Sequence, residues 1–267
     1  MIRTAVVGAA GRMGRMLVKE IVNSPALELV GALEYSECPL LGQDAGTLAG
    51  LAPTGVLLTA DREAVASASD VLIDFTFPQV TMPMAELALP QGKAMVIGTT
   101  GLTTDNRARL RELAAQAPVV CSTNMSVGVN LLFHLCAEVA PLLGEDFDIE
   151  VVEMHHNQKK DAPSGTAVTL GEILAKARGL DYDKDTRHGR VGLVGARTKR
   201  EIGMHSLRGG DVVGDHTVIF AGDGERIELA HKASSRATFA RGAVRAAQFL
   251  ATAKPGFYDM QDVLGLR

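Results

Sequence analysis

The opening residues limit the fold more than any other part of the chain. Residues 2–7 read as a short buried strand, Ile-Arg-Thr-Ala-Val-Val, which runs straight into Gly8-Ala9-Ala10-Gly11-Arg12-Met13-Gly14. The glycines stand at G-x-x-G-x-x-G spacing, and Met13, Met16, Leu17 and Ile21 then share one helical face. A strand, a glycine turn and an amphipathic helix make the first half of a β-α-β unit, whose next strand must lie parallel to the first. Residues 27–33 supply it, and further apolar runs follow at 56–59, 71–75, 94–97 and 119–121. This alternation predicts an α/β fold with a Rossmann-like doubly wound parallel sheet over residues 1–126.

After Asn124 the pattern changes. A helical run at 129–143 leads to a strand at 148–154, a polar loop and a second helix from about Ser164. Strand-like runs at 202–207, 212–220 and 226–233 then succeed one another, which predicts a second α+β domain with a mixed sheet over 127–236. A last helical run, 238–251, has the pattern to join either domain.

Composition narrows the function. A chain of 267 residues, 46% hydrophobic and 22% charged, can bury two cores. A net charge of -4 and the lack of Trp argue against nucleic acid and anionic membranes as partners. Cys38, Cys121 and Cys136 fit neither a zinc pattern nor a disulfide framework, so no metal is expected and a reducing compartment is. With no leader pattern after Met1 and no apolar run of about 18 residues, a cytoplasmic protein is expected.

The glycine turn has the form that lets backbone N–H groups approach a pyrophosphate at a helix N-terminus. Gly8, Ala9, Ala10, Gly11, Arg12 and Met13 are therefore candidate dinucleotide contacts. Glu34 ends the second strand, where a carboxylate can accept both ribose hydroxyls of an adenosine. The competing reading is a plain strand-to-helix turn with an incidental Glu. Glu34 would repel a 2′-phosphate and Tyr35 offers no offsetting charge, so NADH is expected to be preferred, with Arg12 as the cation that admits NADPH. Gly98, Thr99 and Thr100, and then Ser122, Thr123, Asn124 and Met125, follow later strands at the edge where open α/β sheets bind ligands.

A second cluster runs Glu153-Met-His155-His156-Asn-Gln-Lys159-Lys160-Asp161-Ala-Pro163-Ser164-Gly165-Thr166. Ser164 has the character of a helix N-cap, leaving N–H groups of Gly165 and Thr166 to hold a carboxylate. Two Lys and two His around that terminus make an anion site in an acidic chain, and an ammonium beside a carboxylate is worth up to about 4 kcal/mol before desolvation. The competing reading is a solvated surface loop. His205, His216 and His231 fall in predicted strands and read as structural.

The runs Val7 to Gly14, Ile97 to Gly101, Glu153 to Thr166, Arg208 to His216 and Gly256-Phe257-Tyr258 resemble the 4-hydroxy-tetrahydrodipicolinate reductase (dihydrodipicolinate reductase) family of the bacterial and plant lysine pathway, from end to end. The resemblance implies NAD(P)H-dependent reduction of a cyclic conjugated imine with two carboxylates to tetrahydrodipicolinate. It implies that His155 is the acid/base and Lys159 the proton donor, with His156, Lys159, Ser164, Gly165, Thr166 and Thr100 holding the substrate. It also implies a homotetramer joined through the second domain's sheet, domain closure over the ligands, and residues 237–267 packing back on the first domain. Members of the family often carry Arg after the ribose-binding Glu, and Tyr35 departs from that. Two other classes compete: a semialdehyde dehydrogenase with Cys121 as nucleophile, and a non-catalytic NADH sensor.

Overall fold

In the computed structural model, which describes all 267 residues, the N-terminal apolar runs form the middle of a parallel sheet. In chain order the elements are β1 (Ile2–Val7), α1 (Arg12–Val22), β2 (Leu27–Leu33), α2 (Ala45–Leu48), β3 (Leu58–Thr59), α3 (Arg62–Ala68), β4 (Val71–Asp74), α4 (Pro78–Ala88), β5 (Ala94–Ile97), α5 (Thr104–Leu113) and β6 (Val119–Cys121). Then come α6 (Val127–Leu143), β7 (Asp148–His155), α7 (Gly165–Ala177), α8 (Tyr182–Asp185), β8 (Thr186–His188), β9 (Ile202–Arg208), β10 (Gly214–Gly222) and β11 (Glu225–Ala233). The chain closes with α9 (Ala237–Leu250), β12 (Phe257–Tyr258) and α10 (Met260–Leu264). One unit comprises Met1–Val127 with Arg236–Arg267, the other Gly128–Ser235.

The first unit's sheet runs β12-β6-β5-β4-β1-β2-β3. Its strand order reverses at β1, which lies between β2 and β4, so the crevice of this open sheet falls at the C-terminal ends of β1 and β4. Because side chains alternate along a strand, each strand feeds two cores. Val6, Ile73, Val96 and Val120 meet Leu17 and Ile21 of α1 and Ala243, Ala247 and Leu250 of α9. Val7, Leu72, Met95 and Val119 meet Val65 of α3, Met84 of α4 and Leu110 of α5. Each fully buried Leu or Ile contributes roughly 1.5–3 kcal/mol. Three details differ from expectation. β3 begins only at Leu58, because residues 56 and 57 pair with the loop at Asp44 and Ala45 instead of the sheet. β4 stops at Asp74, whose carboxylate takes the Thr76 N–H and turns the chain. The two-residue β12, too short for a pattern, extends the sheet beside β6.

The second unit's sheet, β11-β10-β7-β9-β8, is mixed. β10 is antiparallel to both β11 and β7, while β9 is parallel to β7 and β8. Ile149 and Val151 on one face of β7 pack against Leu132 and Cys136 of α6 and Leu170 and Leu174 of α7. The period of two puts Glu153 and His155 on that same buried face, at the end of the strand. α6 with its following turn, Val127–Asp146, is 20 residues long with mean hydropathy 1.5, long and apolar enough to cross a membrane, contrary to the expectation of no such run. Its apolar character has a local cause: Val129, Leu132, Phe133, Cys136 and Ala140 are buried in this unit's core.

Candidate active site

The glycine turn after β1 exists because side chains cannot share its space. Gly8 has φ +74, and a Cβ there would lie 2.6 Å from Thr76 Cγ2. A Cβ on Gly14 would overlap the Gly8 carbonyl and the Ala9 backbone. Gly8 and Ala9 donate their N–H groups to the Leu33 carbonyl at 2.9 and 3.1 Å, and Ala10 donates to Glu34 Oε1 at 2.8 Å. Gly11 caps α1 without a side chain, so the N–H groups of Arg12 and Met13 have no intrahelical acceptor and point where the helix dipole favours an anion. The turn opens on a cleft of about 410 Å³ that Glu34 and Tyr35 line at one end and Thr76 and Phe77 at another. Arg62 of α3 also lines it. Sequence reasoning missed this second guanidinium because it comes from the first turn of another helix, far along the chain from the glycine turn. Bare N–H groups at a helix end, room kept by absent side chains and a carboxylate at the end of β2 together fit a dinucleotide.

The other candidates after β5 and β6 divide. A Cβ on Gly98 would run into the Phe75 ring, so its smallness makes room for that side chain. Thr99 is buried, its hydroxyl 2.8 Å from that of Thr81, which leaves its backbone for a ligand, while Thr100 is exposed. Ser122 donates to the Asn124 carbonyl at 2.9 Å, and Asn124 Oδ1 accepts the Ser126 N–H at 2.9 Å, so this loop braces itself. Met125 lies in the core and Thr123 is exposed. Cys121 is buried, and burial raises its thiol pKa, the opposite of what a nucleophile needs.

In the second unit, a constellation forms around Glu153, which is 1% exposed. Its Oε2 accepts from His155 Nδ1 at 2.6 Å and from Arg208 at 2.9 Å. Its Oε1 accepts from the other arm of Arg208 at 2.9 Å and from the Ser164 N–H at 3.1 Å. Burial alone would raise the Glu153 pKa, but the Arg208 fork and His155 hold it below the usual range. An ionised carboxylate only accepts, so the Nδ1 of His155 carries a proton and Nε2 is left to act. Burial lowers the His155 pKa, partly opposed by Glu153. Ser164 is the N-cap of α7, accepting the Ala167 N–H at 3.2 Å, and its hydroxyl lies 3.0 Å from Nε2 of His216. His216, expected to be merely structural, packs edge-on against His155 with ring centroids 5.2 Å apart, and burial pushes its pKa down to about 4.

Lys159 presents its ammonium to both oxygens of Asp161, at 2.9 and 2.8 Å, which lowers the Asp161 pKa. His156 is half-buried and its N–H donates to Val212 at 2.7 Å, tying the end of β7 to the loop before β10. Gly165 opens α7, where a first-turn N–H has no intrahelical acceptor. His155, Lys159, Ser164 and Gly165 therefore come from one stretch, while Arg208 and His216 join them through sheet pairing.

Comparison with known proteins agrees with this geometry. The chain matches the family description "Dihydrodipicolinate reductase, N-terminus" over residues 2–125 and "Dihydrodipicolinate reductase, C-terminus" over 128–264. This chain belongs to the dihydrodipicolinate reductase family. The 4-hydroxy-tetrahydrodipicolinate reductases of Syntrophotalea carbinolica and Citrifermentans bemidjiense are 57% and 54% identical to it, each over 100% of both chains. A dipicolinate-bound dihydrodipicolinate reductase from Paenisporosarcina sp. TG-14 superposes with a TM-score of 0.78 at 26% identity, covering 98% of each chain. Aspartate semialdehyde dehydrogenase II from Vibrio cholerae shares the fold, with a TM-score of 0.57 at 12% identity over 94% of this chain and 98% of that one. The chain is thus an NAD(P)H-dependent oxidoreductase of its family.

Proposed function

We propose that this protein reduces 4-hydroxy-tetrahydrodipicolinate, by way of dihydrodipicolinate, to tetrahydrodipicolinate in lysine and diaminopimelate biosynthesis. The observation that carries the chemistry is the Glu153 carboxylate on His155 Nδ1, which turns Nε2 into the proton-delivering atom. When bound in the glycine-turn cleft, reduced nicotinamide supplies a hydride. Hydride addition to a conjugated imine leaves negative charge on the ring, and a neighbouring acid stabilises that charge as it forms. His155 is the acid/base. Its lowered pKa leaves it neutral near pH 7 in the free protein, and two substrate carboxylates nearby raise it so that it loads a proton on binding.

Lys159 is the companion proton donor and holds a substrate carboxylate, which takes the place of Asp161 on its ammonium. His156, Ser164, Gly165, Thr166 and Thr100 complete the substrate contacts. Ser164 acts through its cap, which aims the first-turn N–H groups of α7. Gly8, Ala9, Ala10, Gly11, Arg12, Met13, Glu34, Gly98, Thr99, Thr100, Ser122, Thr123, Asn124 and Met125 form the cofactor site. Glu34 and Tyr35 favour NADH, and the guanidinium groups of Arg12 and Arg62, neither of them ion-paired, admit NADPH. Residues 1–126 with 237–267 act as the dinucleotide domain and 127–236 as the substrate and oligomerisation domain. The protein acts in the cytoplasm as a homotetramer, and the assembly is supported by the second sheet's face away from α6 and α7, which carries Val152 and Met154, and by Val191 and Leu193, exposed in the loop between β8 and β9.

Steady NADH oxidation with freshly formed 4-hydroxy-tetrahydrodipicolinate tests the reading, with kcat/KM for NADH and NADPH measured in parallel. Tight NADH binding without turnover would favour the sensor instead.

A further inference from the structure

Asp74 is a buried carboxyl group that the chemistry above does not use. It is the last residue of β4 and has 0% exposure. Its Oδ1 accepts from the Thr76 N–H at 2.8 Å, the Thr76 hydroxyl at 2.6 Å and the Thr99 hydroxyl at 3.4 Å. Thr99 in turn reaches Thr81 of α4 at 2.8 Å. One oxygen therefore ties the loop after β4 to the loop after β5. The tie also reaches the glycine turn, because the Thr76 methyl fills the space that a Cβ on Gly8 would need.

The second oxygen of Asp74, Oδ2, has no partner at all. No cation faces the group: its neighbours are three threonine hydroxyls and a backbone N–H. A buried carboxylate without a counter-ion is strongly disfavoured. Burial raises the Asp74 pKa, against the lowering effect of the threonines, in keeping with an uncharged acid. A group kept for charge would have a cation beside it. This one has the features of a fixed acceptor whose value lies in position.

We propose that Asp74 is a positioning residue for the hydride step, joining the two loops against which the nicotinamide end of the cofactor rests. The inference depends on the cofactor reading of the cleft. Thr76 lines that cleft directly, and Thr99 stands beside the exposed Thr100 in the loop after β5. Loss of the Oδ1 acceptor frees both loops and leaves a bound ring misplaced against the substrate. The penalty should therefore fall on kcat at saturating cofactor as well as on cofactor affinity.

The test measures NADH affinity by fluorescence, kcat at saturating NADH, and folding by circular dichroism, in full-length Asp74→Asn, Asp74→Ala and Thr99→Val proteins. Asn keeps the Oδ1 acceptor and carries no charge, so Asp74→Asn should stay within about threefold of the parent in both constants. Asp74→Ala should lose about 100-fold in kcat, the scale of a reacting group misplaced by an ångström, with a smaller loss of affinity. Thr99→Val keeps shape and burial, and should lower kcat about tenfold, which keeps the question open to test if Asp74→Ala does not fold. An Asn variant as slow as the Ala variant overturns the proposal, because charge would then be what matters. So does a folded Ala or Val variant with parental kcat. Parent protein that binds no NADH overturns the cofactor reading itself, an outcome distinct from either.

Discussion

Replacement of Glu153 by Gln is the sharpest probe of how this site is built. The carboxylate receives His155 Nδ1, both arms of Arg208 and the Ser164 N–H, all within 3.1 Å. A glutamine amide is nearly the same size, but one of its two terminal atoms donates. Wherever the NH₂ points, it faces two donors: Arg208 with His155, or Arg208 with Ser164. Each buried group so unsatisfied costs roughly 1–3 kcal/mol. Arg208 also loses its counter-charge, and breaking a buried pair from one side costs about 3–5 kcal/mol. These terms overlap, so Glu153→Gln should lose about 3–5 kcal/mol in urea unfolding. If the NH₂ faces His155, Nδ1 must become an acceptor and the imidazole changes tautomer, which in a comparable orienting role costs up to about 10⁴-fold in kcat. Steady-state NADH oxidation on the folded fraction should show at least a 100-fold loss, mostly in kcat and not in KM for NADH, on the scale of a lost orienting partner at about 10–100-fold or more. A variant less than about 1 kcal/mol weaker, with kcat within threefold of the parent, would refute the argument that Glu153 orients His155.

Three further outcomes are expected. Burial pushes the His216 pKa down to about 4 in the folded protein, against an ordinary value of 6.5 in the unfolded chain, so the unfolded chain binds more protons in between. Stability should therefore fall as pH drops from 6.5 to 4, by roughly 3 kcal/mol from this group. A His216→Asn variant should lack that part of the slope, and matching urea midpoints against pH in parent and variant would contradict it. Gly14→Ala forces a Cβ onto the Gly8 carbonyl, an overpacking cost of about 1–3 kcal/mol. NADH affinity by fluorescence titration should drop about tenfold, and unchanged affinity would mean that the turn does not hold the cofactor. Arg12→Ala and Arg62→Ala should each lower kcat/KM for NADPH about tenfold while sparing NADH, since an unpaired guanidinium gains most from the extra phosphate. Equal losses with both cofactors would place these side chains on the shared pyrophosphate.

Much of the glycine turn was legible because most of its constraints are local. Gly11 and Gly14 leave room for the Gly8 carbonyl and the Ala9 backbone within a single strand-turn-helix, so that demand is written in contiguous residues, whereas Gly8 makes room for Thr76 from the loop after β4. The same holds for His155 through Thr166, where the cap residue Ser164 and the start of α7 lie on one short stretch. Gly98 shows what a local reading misses, since the ring it accommodates belongs to Phe75 from the neighbouring strand's loop.

The alternation of strands and helices along the chain, the hydrophobic periods and the two motif runs were thus determined by sequence alone, because period and turn chemistry act over a few residues. The partners of those motifs were decided only by the tertiary structure. Arg208 stands 55 residues from Glu153 and His216 stands 52 from Ser164. They meet because β9 pairs with β7 in a register that sets Arg208 beside His155, and β10 in one that sets His216 beside Glu153. No spacing rule encodes a register between distant strands. It is chosen by which side chains can be buried together, and here that choice places a charged fork and a second imidazole on the face that carries His155.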